Sequence, residues 1–393
     1  TTYTLGELIS GEASLPLFYN SKPGPRVLGT LLAILLAPAL LGAQADRAED
    51  KAGFTTLTVK DGLVNMSVSG IVQDSKGFLW LSTQGGLLRY DGSGFKTFEN
   101  EPFDETSISG DLIQTIFRDE GDVLWIGTYN GLNRFDMATG KNTRFRFDLA
   151  RPDSLSNDLV IAIARDARGR LWAGTINGLN RLDEATGSFV RYLHDEKDPS
   201  SLANNTVRSL FKDSKGRLWI GTTGGGLASY DYEADHFDKY SPPASASLQA
   251  IAEDAEGQLW LGAWGLGLVR FQPTSGESKV YEVPDKRIYV INTQAKDVVR
   301  VGTWGGGLHI LDKATGRFSS YRNSKSVGSL PNDVVYSMLE DSSGELWIGT
   351  NGGGLARLGK AQRSLTAYIA DAQDPRALPP GKIIASLVDS KRQ

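Results

Sequence analysis

A short phrase, Leu-Trp-Ile-Gly-Thr, recurs along the chain and limits what it can fold into. It is cleanest at residues 346–350, and variants are centred on Trp80, Trp125, Trp172, Trp219 and Trp260. Arg300 takes the Trp place in a seventh copy. Successive centres stand 45, 47, 47, 41, 40 and 47 residues apart. Self-similarity at a period of roughly 40–50 residues marks a repeat architecture, and the blades of a β-propeller have that length.

Each repeat carries more than its centre. An Asp stands six residues earlier in six copies, at Asp74, Asp119, Asp166, Asp213, Asp254 and Asp341, and five of these open an Asp-x-x-Gly turn. The residues nine and twelve before the centre are apolar in every copy. A small residue stands ten before it in six copies, with Val290 in the other. After the centre come a Gly-rich turn, a Leu, often Arg-aromatic-Asp, and a second turn such as Asp136–Gly140 or Asp183–Gly187. Short apolar and aromatic runs between Gly and Asp turns read as strands, four to a unit. No run has the length and period of an ordinary helix. The expected fold is therefore all-β, a propeller of about seven four-stranded blades. Large residues beside each Trp should fill the space between neighbouring blades.

Composition removes several functional classes. A net charge of −4 without basic runs leaves no electrostatic footprint for nucleic acid. The chain has no cysteine, which excludes disulfides and thiolate metal sites. Its histidines, His194, His236 and His309, fall in different blades without metal-ligand spacing. The repeated Asp residues are spread around a ring, too far apart for the carboxyl pair of a retaining glycosidase, which stands about 5–5.5 Å apart. The Gly-rich turns lack the Lys of a phosphate loop. No catalytic constellation, cofactor site or metal site is expected.

Taken in order, residues 1–25 resemble nothing that follows. Residues 26–45 have the charged, apolar and small-x-small order of a secretory signal peptide; an uncleaved anchor is the alternative. Residues 46–53 read as a linker and 54–370 as the propeller. A signature like Pro152-Asp153-Ser154-Leu155-Ser156-Asn157 separates several blades. It begins again near Asp374, so residues 371–393 are expected to start an eighth repeat, truncated at Gln393, in a fragment of a longer protein. Phe54–Val59 alternates like a lone outer strand. It could close the ring at seven blades, or pair with a blade beyond Gln393, since Leu365–Tyr368 already offers blade 7 an outer strand.

Together, Asp-x-x-Gly-x-Leu-Trp-Ile-Gly-Thr, Gly-Gly-Leu-x-Arg-Phe-Asp, Ala-Thr-Gly-x-Phe and Pro-x-Ser-Leu-x-x-Asn resemble two-component regulator propeller repeats over about residues 54–389. The resemblance implies the extracytoplasmic, periplasmic ligand-sensing region of a membrane-anchored histidine kinase, with a diguanylate cyclase as the alternative output. It also implies a small-molecule or oligosaccharide ligand and homodimerisation of the full-length protein. A secreted propeller enzyme acting on polysaccharide, and an interaction scaffold, are the other readings.

Strand direction places the turns between second and third strands on the same face as the inter-blade linkers. These turns vary between blades, whereas the turns of the opposite face repeat. Ligand-binding candidates are Trp264 and Trp304, at one repeat position in adjacent blades, with Tyr129, Asn130, Asn177 and Asn351. The two indoles could instead cover the seam between blades 5 and 6, and Asn suits tight turns on its own account. Arg300 is expected to pair with a local carboxylate such as Asp297.

Overall fold

Runs of β-branched and aromatic residues favour a pleated, half-buried surface. In a computed structural model, which describes residues 53–240 and 246–359, these runs form seven four-stranded antiparallel sheets. Blade 1 meanders through Val68–Gln73, Leu79–Thr83, Gly86–Tyr90 and Phe95–Phe98. The innermost strands of blades 2 to 7 are Ile113–Arg118, Val160–Arg165, Val207–Lys212, Ser247–Glu253, Ile288–Asn292 and Val335–Glu340. Each packs on the next, and the innermost strand of blade 7 packs on that of blade 1. A single 3-10 turn, Val59–Asp61, is the one helical element among the described residues.

The ring closes by exchange of one strand. Thr55–Leu57 pairs antiparallel with the third strand of blade 7, Leu355–Leu358, and becomes that blade's outermost strand. Phe54 is buried beside it, edge-on to Tyr321 of blade 6 at 6.1 Å. The ring is therefore closed at seven blades, and the N-terminal strand takes the outer place for which Leu365–Tyr368 was a candidate. That candidate, the leader segments and the start of an eighth repeat lie outside the described residues.

Within six blades the same hydrogen bond ties the innermost strand to the second. The Trp indole N–H donates to the Asp six residues earlier, at 2.7–2.9 Å. In the five Asp-x-x-Gly turns the other carboxylate oxygen accepts two backbone N–H groups, as Asp213 does from Lys215 and Arg217. One carboxylate thus satisfies a turn and fixes the orientation of a large ring. Asp119 opens no such turn, and Arg165 of blade 3 bonds both of its oxygens instead.

The latched indoles fill the spaces between blades. Trp80, Trp125, Trp172, Trp219 and Trp260 are at most 1% exposed. Trp80 stacks on Phe98 of its own blade at 5.6 Å and meets Phe135 of blade 2 at 5.7 Å. Seven hydrophobic clusters occupy the seven inter-blade spaces, so the core is a set of radial wedges. The linker residues Ile108, Leu155, Leu202 and Leu330 plug the wedges from one face.

Blade 6 lacks the latch. Arg300 is buried and bonds Asn292 at 2.9 Å and Glu340 of blade 7 at 2.7 Å. The expected local partner, Asp297, is replaced by a carboxylate from the next blade, because the side chain follows the direction of the Trp it replaces, into the wedge. Lys313 of blade 6 reaches back to Asp254 of blade 5 at 3.0 Å.

Three outcomes are expected. Replacing Asp213 with Ala strands the Trp219 indole and two turn N–H groups, and should cost about 2–4 kcal/mol in denaturant melts. Removing residues 54–58 exposes the edge at Leu355–Leu358 and the pocket of Phe54; the melting temperature should fall by at least ~5 °C, with concentration-dependent association in light scattering. The third concerns acid. Burial alone would raise the carboxyls of Asp119, Asp254 and Asp341, but hydrogen bonds, joined by Arg165 at Asp119 and Lys313 at Asp254, outweigh it and hold all three below the usual range. A depressed folded-state pKa gives stability that is present above the unfolded value and lost as pH falls through the folded value. Stability measured against pH should therefore be flat near neutrality and decline below about pH 4.

Candidate functional site

One irregularity recurs in all seven innermost strands. The residue eleven before the centre drops out of the ladder in a β-bulge. A bulge re-aims the residue it frees. In chain order these residues are Ser69, Gln114, Ile161, Arg208, Gln249, Tyr289 and Tyr336. They stand next to the small residues that let the innermost strands crowd the axis.

The variable turns lie on the same face as the linkers, as strand direction requires. In each blade a backbone N–H of the turn donates to a carbonyl of the following linker, as Gly131 does to Asp158 at 2.8 Å and Gly307 to Asp333 at 2.9 Å. Gly131 has φ 111°, and a Cβ there would sit 2.3 Å from the Phe145 carbonyl oxygen, so the turn accepts only glycine.

Two of these turns and two of the bulges meet. The Trp264 and Trp304 rings lie edge to face at 6.1 Å, and each is 36% exposed. Trp304 is 5.7 Å from Tyr289 and 5.5 Å from Tyr336, and the two Tyr rings are 5.0 Å apart. The indoles therefore touch across the seam and still present surface to solvent. Burial raises both phenols, that of Tyr336 to about 12, so both are neutral donors near pH 7.

Repeat position places the opposite wall: Arg208 holds in blade 4 the bulge position of Tyr289, and Tyr129 holds in blade 2 the turn position of Trp264 and Trp304. The Tyr289 phenol also feels Arg208 of blade 4 and Tyr129 of blade 2, and the Tyr336 phenol feels Tyr129. Blades 2 and 4 do not adjoin blade 6, and the closed ring sets their equivalent positions around one central channel. Tyr129, half exposed, thus joins Trp264 and Trp304 at one mouth. Tyr289, Tyr336 and Arg208 belong there too and were missed in the sequence.

The Asn candidates have other engagements. Asn351 accepts a hydrogen bond from Ser67 at 2.8 Å, and Asn130 packs on the linker at Gly110. Asn177 is exposed in its turn, its backbone N–H bonded to Thr175.

The histidines are scattered, with one departure from expectation. Asp231, His236 and Asp238 bring possible metal-ligating atoms within 4.8 Å of one another, a proximity created by the hairpin between third and outermost strands of blade 4. Asp231 already accepts two backbone N–H groups of that hairpin. His309 is buried and bonded to Ser320 at 2.8 Å, and burial pushes its pKa down to about 4.

The two-component regulator propeller family matches residues 62–85, 154–177, 201–224 and 329–352. Each stretch runs from a linker through an innermost strand and the Trp strand into the variable turn. These four stretches match the two-component regulator propeller repeat. Over 56 residues it is 48% identical to histidine kinase P4 of Formosa agariphila, a stretch that covers 14% of this chain and 4% of the kinase. The extracellular domain of a putative hybrid two-component system from B. thetaiotaomicron superposes with a TM-score of 0.68 at 29% identity, covering 78% of this chain and 41% of that one. The chain thus spans less than half the length of either relative. Virginiamycin B lyase from Staphylococcus aureus shares the fold, with a TM-score of 0.59 at 14% identity over 77% of this chain and 97% of the lyase.

Of the eight tryptophans, the six at repeat centres are at most 5% exposed. Iodide should therefore quench a minor fraction of the fluorescence, and that fraction should disappear in a Trp264→Ala, Trp304→Ala double variant. Quenching that survives both substitutions would contradict this arrangement of the indoles.

Proposed function

We propose that this propeller is the extracytoplasmic ligand-sensing region of a two-component signalling protein whose output is a histidine kinase. The carrying observation is the aromatic mouth on the variable face: Trp264 and Trp304 in contact, backed by Tyr289 and Tyr336. Partly exposed aromatic faces with neutral phenol donors beside them suit the apolar face and hydroxyls of a sugar ring. The likeness to a kinase segment and to an extracellular two-component domain supports both the signalling role and a location outside the cytoplasm.

Sensing requires no turnover. The repeats supply rigid blades and the mouth supplies the variable chemistry. A bound ring would bridge walls contributed by several blades and favour one arrangement of the ring relative to whatever follows it. A ligand shifts such an equilibrium only by its difference in affinity for the two arrangements.

The test is binding and turnover measured together on a panel of oligosaccharides. At least one should bind, be recovered chemically unchanged, and lose at least about tenfold in affinity in the Trp264→Ala, Trp304→Ala variant, with the melting temperature little altered. Cleavage of the bound sugar, or affinity unaffected by the double substitution, would overturn the reading.

A further inference from the structure

The seven bulge residues form a collar at the channel mouth, and one of them is charged. Arg208 stands among Ser69, Gln114, Ile161, Gln249, Tyr289 and Tyr336. Its Nε donates to Thr223 Oγ1 at 3.1 Å, which fixes the guanidinium against the variable turn of its own blade. No carboxylate lies within salt-bridge distance of it among the described residues.

Many of the other partly buried cations here are handled differently, although Arg89 and Arg270, on the third strands of blades 1 and 5, also lack a salt bridge among the described residues. Arg165 pairs with Asp119 and Glu184, Arg170 with Asp166, Arg217 with Asp213, and Lys313 with Asp254 and Glu256. Arg144 and Arg191 are satisfied by linker carbonyls, as in the 2.9 Å bond from Arg144 to Ser107 and the 2.7 Å bond from Arg191 to Ser154. Arg208 has neither solution, although it is partly buried. A cation withdrawn from water is costly unless an anion compensates it. With Nε committed to Thr223, the two terminal nitrogens remain as a fork, the geometry that binds a carboxylate through two parallel hydrogen bonds.

We infer that the ligand is anionic, a carboxylate-bearing ring such as a uronate, held with its ring on the aromatic wall of blades 5 to 7 and its carboxylate on Arg208 across the channel. This rests on the aromatic mouth being the ligand site and goes beyond it by naming the charge and the residue that reads it. The Tyr289 and Tyr336 phenols are neutral donors on the same channel and add hydrogen bonds without repelling the anion. Recognition then divides, with affinity for a ring coming from blades 5 to 7 and selection of charge from blade 4.

The test uses the full chain, isothermal calorimetry, and two probes that differ only in charge: a galacturonic acid trimer and its methyl ester. The acid should bind at least about tenfold more tightly than the ester, as a charge-assisted bond implies, and more weakly as salt is added. Arg208→Gln keeps the bond to Thr223 within reach and should remove the preference, leaving both probes at the affinity of the ester. Trp264→Ala with Trp304→Ala should weaken both probes alike. Equal affinities for acid and ester in the native chain, a preference that survives Arg208→Gln, or no binding of either probe at millimolar concentration would overturn the inference. If the preference depends on Arg208 but the Trp pair has no effect, the inference about charge holds while the aromatic wall is misassigned.

Discussion

The structure depends on a bond between an indole N–H and a carboxylate. An antiparallel sheet of four strands has two faces to cover and cannot do so alone, so a blade is stable only against its neighbours. The Asp–Trp bond makes that packing reproducible. It ties the turn after the innermost strand to the ring that fills the wedge, so each blade presents the same surface to the next. Burying an indole leaves its N–H in need of an acceptor, and an Asp that also satisfies a tight turn supplies one at the cost of a single buried carboxylate. Repeated six times, it builds a ring whose rigidity does not depend on the variable face.

Function then has room where the repeat is broken. Blades 4 to 7 have longer variable turns than blades 1 to 3, and blades 5 and 6 place tryptophans in them. Blade 6 gives up the latch altogether, and Arg300 ties it to Glu340 of blade 7 instead. The aromatic wall is built from these departing blades and from blade 7, whose outermost strand is borrowed from the N-terminal end of the ring. The most repetitive half of the ring contributes Tyr129 to the mouth.

Much of this was legible in the residues. A period near 45, with Gly and Asp punctuation, leaves few alternatives to a propeller, and strand direction alone puts the linkers and variable turns on one face. The pairing of Trp264 with Trp304 followed from equal positions in adjacent repeats. Tyr289, Tyr336 and Arg208 were less visible for a definite reason. Alternation assigns strand residues to faces by counting in twos, and a bulge shifts the count by one. Once the bulge is known to recur eleven residues before each centre, those seven residues can be read off directly. Ring closure and the partner of Arg300 needed the structure, because each joins segments that are distant in sequence or sit in different blades. Of the three Asn candidates, Asn351 bonds the linker at Ser67 and Asn130 packs on the linker at Gly110, roles that residue type alone did not indicate.

The central claim is that a ring of near-identical blades carries its recognition chemistry at one mouth of its channel, where the repeats differ. Its most direct test is a crystal structure of the propeller with a bound oligosaccharide from the panel. The account predicts density against Trp264 and Trp304, reaching toward Tyr129 across the channel. Density confined to the outer rim, or to the face of the repeated Asp turns, would contradict it.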